Sequence, residues 1–173
     1  MTADEQAPAH PAEMEDEPLL AQCRTERRRG SGPGGQHRNK TESAVELTHE
    51  PTGIHAKAGE RRSQHENQRR ALRRLRLNLA VQVRGNHQPG RPSELWQKRQ
   101  QGRTLPINEK HADFPALLAE ALDIIAGCRH DVAKAARSRG LSTSQLLKLL
   151  KKHPPAFEQV NQQREKRGQH TFK

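Results

Sequence analysis

Residues 30–40 read GSGPGGQHRNK and hold the side chains with the most chemistry to offer. Gly34 and Gly35 are followed by the amide of Gln36, the titratable ring of His37, and then Arg38, Asn39 and Lys40. Four glycines, one proline and one serine in eleven residues predict a flexible loop rather than a helix or strand. His37 is the one conceivable general base here, and a flexible loop positions a base poorly. A Gly-rich run of this kind can equally be an ordinary surface turn, so the triplet needs its surroundings to mean anything.

Other chemistry is sparse. Cys23 and Cys128 are far apart and form no CxxC pair, and the ten histidines are scattered, so the sequence predicts no metal site and no cofactor. No apolar run reaches the roughly 18 residues of a membrane span. The N-terminus is acidic and lacks an apolar signal segment, so a cytoplasmic location is expected.

The elements that must position the loop can be read from periodicity. Residues 43–49 (SAVELTH) alternate, with Val45, Leu47 and His49 on one side and Ala44, Glu46 and Thr48 on the other, as in a half-buried strand. Glu50-Pro51-Thr52-Gly53 has turn chemistry, and residues 54–58 (IHAKA) make the partner strand of a hairpin. Ala71, Leu72, Leu75 and Leu79 then recur at helical spacing, predicting a helix of about 20 residues with one apolar stripe. Arg69, Arg70, Arg73 and Arg74 lie on that helix as candidate RNA contacts, with a merely solvated face as the alternative. Upstream, Leu19, Leu20 and Cys23 suit a short helix or a strand.

Composition adds a partner. Lys and Arg number 31 against 20 Asp and Glu, a formal net charge of +11. Six of the acids (Asp4, Glu5, Glu13, Glu15, Asp16 and Glu17) fall in the first 20 residues, which have no Lys or Arg, so the rest of the chain is more basic still. Such a body attracts a polyanion. Apolar residues make up only 31% of the chain, which predicts a small core.

The sequence divides into a disordered acidic arm (1–17), a first domain (18–83, with its loop at 30–40), a linker (84–112), a helical unit (113–160) and a basic tail (161–173). In the linker, one helical turn around Leu95-Trp96 is expected, with Trp96 as an anchor. In the helical unit, Asp113 is placed to cap a helix ending at Gly127, and residues 130–139 form the next, stopped by Gly140. Ser142 and Gln145 suit a capping box, with Leu141 and Leu146 as a hydrophobic staple, for a helix running to His153 before Pro154-Pro155. Helix, Gly140 and Ser-capped helix together resemble a helix-turn-helix. The fold class is α+β: a small antiparallel sheet packed by one long helix, then a C-terminal helical unit.

The stretch RGSGPGGQHRNKTESAVELTHEPTGI, followed by ERRSQHENQRRAL, resembles the catalytic domain of bacterial class I peptide chain release factors, most of all the short members that rescue stalled ribosomes. The resemblance covers residues 18–83. It rests on the loop, Asn39-Lys40-Thr41, Ser43-Ala44-Val45, Thr48-His49, Pro51-Thr52-Gly53-Ile54, and Ser63-Gln64 with Asn67, all in the family's order. It implies that Gly34, Gly35 and Gln36 are catalytic and enter the peptidyl transferase centre. There the backbone N–H of Gln36 meets the charge that develops as the ester of peptidyl-tRNA is hydrolysed, and its side chain shapes the water site. No Ser/His/Asp or Cys/His set is then required. Arg38, Asn39 and Lys40 would brace the loop against RNA, while Ser63, Gln64 and Asn67 would be mainly structural. The implied partners are the ribosome, through large-subunit rRNA, and peptidyl-tRNA, with the chain acting as a monomer.

The sequence contains neither the Pro-x-Thr nor the Ser-Pro-Phe tripeptide of codon-reading factors, so codon-independent release is expected. Residues 164–173 (REKRGQHTFK) are a short counterpart of the basic tail of rescue factors, and the helical unit at 113–160 is unlike that tail. A non-catalytic ribosome- or RNA-binding protein and a helix-turn-helix DNA regulator are the competing readings.

Overall fold

The computed structural model describes residues 10–28 and 43–173. The fold is α+β, as the periodicity predicts, and the chain divides into two compact units. One comprises residues 14–79. The other comprises residues 80–173 together with the described residues up to Glu13.

In the first unit, α1 (Asp16–Ala21) leads into β1 (Cys23–Arg28), followed by β2 (Ala44–His49), β3 (Ile54–Ala58) and α2 (Gln64–Gln82), whose last turn enters the second unit. The sheet is antiparallel, in the order β1-β2-β3. Val45, Leu47 and His49 are buried and Ala44, Glu46 and Thr48 are half-buried, as alternation dictates. The turn closes through Gly53, whose backbone φ of +69° is open to glycine at no cost, and whose N–H donates to the His49 carbonyl at 2.8 Å. Helix α2 buries Ala71, Leu72, Leu75 and Leu79, the stripe expected from sequence.

The second unit begins with a 3-10 turn at Pro11–Glu13 and includes α3 (Glu94–Arg99), α4 (Phe114–Gly127), α5 (Val132–Ser138), α6 (Thr143–Lys151) and α7 (Pro154–Glu165). Every residue of α4 from Phe114 to Ile125 is buried, so this unit has a larger core than the overall composition suggests. A helix apolar on all sides is stable only at the centre of a bundle, and α5 and α6 pack on α4 and on each other.

Several local expectations need revising. Asp113 stands at the N-cap of α4 but makes no side-chain cap; its carboxylate pairs with Arg99 at 2.8 Å and 2.5 Å. Ser142 does cap α6, accepting from the Gln145 N–H, and Leu141 and Leu146 are both buried. Pro154 and Pro155 stop α6 but also open α7, because proline suits the first turn of a helix.

Residues 84–112, read from sequence as a linker, carry α3 and are fastened to two buried carboxylates of α4. Glu120 accepts from the Ser93 N–H at 3.1 Å and the Ser93 hydroxyl at 2.5 Å. It also faces Arg139 Nη2 at 3.0 Å, off the angle of a hydrogen bond, so that contact is an ion pair. Asp123 accepts from the Gly85 N–H at 2.9 Å and lies 2.8 Å from His87 Nδ1. Trp96 is wholly buried, with the Arg139 guanidinium 5.6 Å above its ring.

Part of the arm expected over residues 1–17 is ordered as well: His10 is buried with its ring on the Val83 carbonyl, and Glu13 pairs with His87 at 2.8 Å. Residues 1–9 lie outside the described residues. The tail folds back on α7, where Asn161 and Phe172 exchange two hydrogen bonds at 2.9 Å and 2.8 Å.

Candidate functional site

The segment of interest, residues 29–42, lies outside the described residues, and with it Gly34, Gly35, Gln36, His37, Arg38, Asn39 and Lys40. Its two supports are described. Arg28 closes β1 and Ala44 opens β2, and the two are cross-strand partners. The strands on either side of it are thus adjacent and antiparallel.

The re-entry point is held from below by Asn67, which is fully buried. Its side-chain amide donates to the carbonyl oxygen of Ser43 at 2.6 Å and to that of Arg61 at 2.8 Å, while its amide oxygen accepts from the Arg61 N–H at 3.0 Å. One side chain thus joins β2, the β3–α2 connection and α2. Ser63 supports the start of α2, its carbonyl accepting from the Asn67 N–H at 3.1 Å. Gly59 permits a second close approach, since a Cβ there would stand 3.0 Å from that of Ala44. Asn67 and Ser63 behave as the sequence resemblance implies; the roles of Gly59 and of the Ser43 carbonyl have no signature in periodicity.

At the opposite end of the sheet, His49 locks the turn. Its Nε2 faces Gln22 Oε1 at 3.0 Å and its Nδ1 faces Thr52 Oγ1 at 2.8 Å. Burial lowers its pKa, and a neutral ring suits this pair of contacts, with Nε2–H donating to Gln22 and the Thr52 hydroxyl donating to Nδ1.

The four arginines proposed on α2 divide. Arg69 and Arg70 are exposed and Arg73 is half-buried and has a contact of its own. Arg74 is committed elsewhere: its guanidinium pairs with Glu60 and donates to the Lys57 carbonyl at 2.7 Å. One turn on, Asn78 donates to the His55 carbonyl at 3.0 Å. These two side chains satisfy outward carbonyls of β3, an edge strand that would otherwise present them unpaired. The Arg74–Glu60 contact holds the Glu60 carboxyl below its usual range.

Among the described residues, no group of three or more His, Cys, Asp or Glu could hold a metal ion. No described helix is long and apolar enough to cross a membrane.

Comparison with known proteins places these residues in a family. The chain is 52% identical over 66 residues to peptide chain release factor 1 of Acidiphilium cryptum, covering 38% of this chain and 19% of that protein. It is 45% identical over 84 residues to peptide chain release factor 2 of Variovorax paradoxus, covering 49% of this chain and 22% of that protein. The chain therefore spans about a fifth of the length of these curated relatives. The model of the RF-1 domain matches residues 20–112, beyond the 18–83 stretch that carries the sequence resemblance and through α3. More than half of the chain is thereby covered, and the chain belongs to the RF-1 domain family.

Proposed function

We propose that this protein is a codon-independent release factor that hydrolyses the ester of peptidyl-tRNA on stalled ribosomes. Gly34, Gly35 and Gln36 present the catalytic backbone at the peptidyl transferase centre. Water adds to the ester carbonyl carbon, and the oxyanion or the departing ribose oxygen is met by the Gln36 N–H. The bond from that carbon to the tRNA 3′ oxygen then breaks. One proton of the water passes to the 3′ oxygen, and the peptide leaves as a carboxylic acid that ionises to solvent. Arg38, Asn39 and Lys40 brace the loop on RNA. On α2, Arg69, Arg70 and Arg73 face large-subunit rRNA, and Arg74 contributes chiefly by fastening the helix to β3. The protein acts as a monomer in the cytoplasm and needs no cofactor. Residues 18–83 form the catalytic region.

The observation that carries this reading is the intact Gly-Gly-Gln triplet on a segment whose ends are cross-strand partners, Arg28 and Ala44, in an RF-1 family domain. The absence of both codon-reading tripeptides from the sequence supports codon independence. The test is release of labelled peptide from ribosomes whose A site is empty, truncated or filled with a stop codon. Release on the empty or truncated complexes is expected, with no gain from a stop codon. Release only with a stop codon would refute codon independence, and tight ribosome binding without release on any complex would leave a binding protein instead.

A further inference from the structure

The α5–α6 pair has a surface that the release-factor reading does not use. Both helices bury one side, α5 through Val132, Ala135 and Ala136 and α6 through Leu146, Leu149 and Leu150. The opposite side of α5 exposes Lys134 and Arg137, and that of α6 exposes Ser144, Lys148 and Lys151. Three of the acids nearby are turned inward or otherwise engaged, while the exposed Asp131 caps the N-terminus of α5. Glu120 is buried on Arg139, Asp123 is buried against His87 and Arg84, and Asp113 is paired with Arg99. Lys134, Arg137 and Lys148 form no ion pair among the described residues. Lys151 lies 5.4 Å from the centroid of the Phe157 ring, a contact that leaves its charge unneutralised.

We infer that the outward sides of α5 and α6 form a second RNA-binding surface, which grips the phosphate backbone of a double-stranded RNA segment. Cations on long, flexible stems suit phosphates, whose contacts position a protein without specifying bases. A-form RNA also withholds its deep, narrow groove from side chains, so a backbone-directed cationic face fits it. The basic face stands on its own observations; the choice of RNA over DNA rests on the release-factor reading.

The test is fluorescence anisotropy of the full chain with a labelled RNA duplex of about 20 base pairs, titrated between about 50 and about 300 mM KCl. Two double variants are compared with the parent: Lys134→Glu with Lys148→Glu, and the milder Lys134→Gln with Lys148→Gln. Both are checked for an unchanged unfolding temperature. The charge reversal is expected to weaken binding about tenfold or more and to reduce the slope of log K against log salt by about one to two, as befits one or two lost phosphate contacts. The neutral pair should show a smaller loss in the same direction. Parent-like affinity and slope in both variants would overturn the proposal. So would tighter binding to a DNA duplex of the same sequence, which would indicate a DNA-reading helix-turn-helix. Peptide release is measured on the same preparations. A parent protein that binds the duplex through these lysines but releases no peptide defeats the release-factor reading alone, whereas release with lysine-independent binding defeats this inference alone.

Discussion

Asn67 donates its side-chain amide to the Ser43 carbonyl at 2.6 Å, across 24 residues of sequence, and so anchors the point at which the Gly-Gly-Gln segment rejoins the sheet. The same side chain also bonds both backbone groups of Arg61. Replacing Asn67 with Ala strands three buried or half-buried backbone groups. An unsatisfied group of this kind costs roughly 1–3 kcal/mol, so a total loss of about 2–4 kcal/mol is expected after partial rehydration. Asn67→Asp should be no better, because a carboxylate cannot donate to two carbonyls. Denaturant unfolding of the three proteins checks this; a loss below about 0.5 kcal/mol in both variants would show that the anchor is not required.

Gly59→Ala would press a methyl group onto Ala44. Overpacking of this size costs about 1–3 kcal/mol. Ala44→Gly removes the obstructing carbon, so the double variant should recover much of the loss. Additive effects in the double-mutant cycle would mean that the two positions do not press on one another.

Arg74 and Arg69 should fail in different ways. Arg74→Ala removes a bond to the Lys57 carbonyl and a solvent-screened pair with Glu60, and is expected to lower stability by about 1 kcal/mol. Arg69→Ala should leave stability within about 0.5 kcal/mol while reducing the salt dependence of ribosome binding. The same pattern in both variants would contradict the division of α2 drawn here.

His87 gives the protein a characteristic pH response. Burial alone would lower its pKa, but hydrogen bonds to Asp123 and Glu13, together with the charges of Glu13 and Glu120, raise it from 6.5 to about 10. The folded state thus keeps a proton that the unfolded chain loses. This stabilisation is complete below pH 6.5 and is lost as pH rises toward about 10. His10, His49 and His130 act oppositely: burial lowers their pKa values, so they cost stability as pH falls below 6.5. The unfolding temperature should therefore decline from neutral pH toward pH 9, and His87→Gln should flatten that decline. An equally steep decline in His87→Gln would assign it to other groups.

Much of the first unit was legible in the sequence, because alternation in β2 and the 71-72-75-79 spacing of α2 each record burial on one face. β1 was legible only as one of two alternatives, helix or strand, since CRTERR is an edge strand with four charged residues and no apolar alternation. In the second unit, residues 84–112 read as a linker because Pro, Gly and Gln dominate them, yet Glu120 and Asp123 hold them through hydrogen bonds that leave no periodic trace. The Pro154-Pro155 pair was legible as a stop but not as a start. At the site, the triplet was visible as a motif, whereas the Asn67 anchor and the Gly59–Ala44 approach depend on residues brought together only by folding.

The proposed role of the diglycine segment is to deliver a backbone donor to the ester of peptidyl-tRNA. It is tested most directly by single-turnover release of labelled peptide from ribosomes stalled on mRNA without a stop codon, with the parent protein and Gly35→Ala both at saturating concentration. Loss of one such donor costs about 2.7–4 kcal/mol of barrier in other enzymes. A rate about a hundredfold or more lower is therefore expected for Gly35→Ala, with ribosome affinity retained. Equal release rates for the two proteins would contradict it.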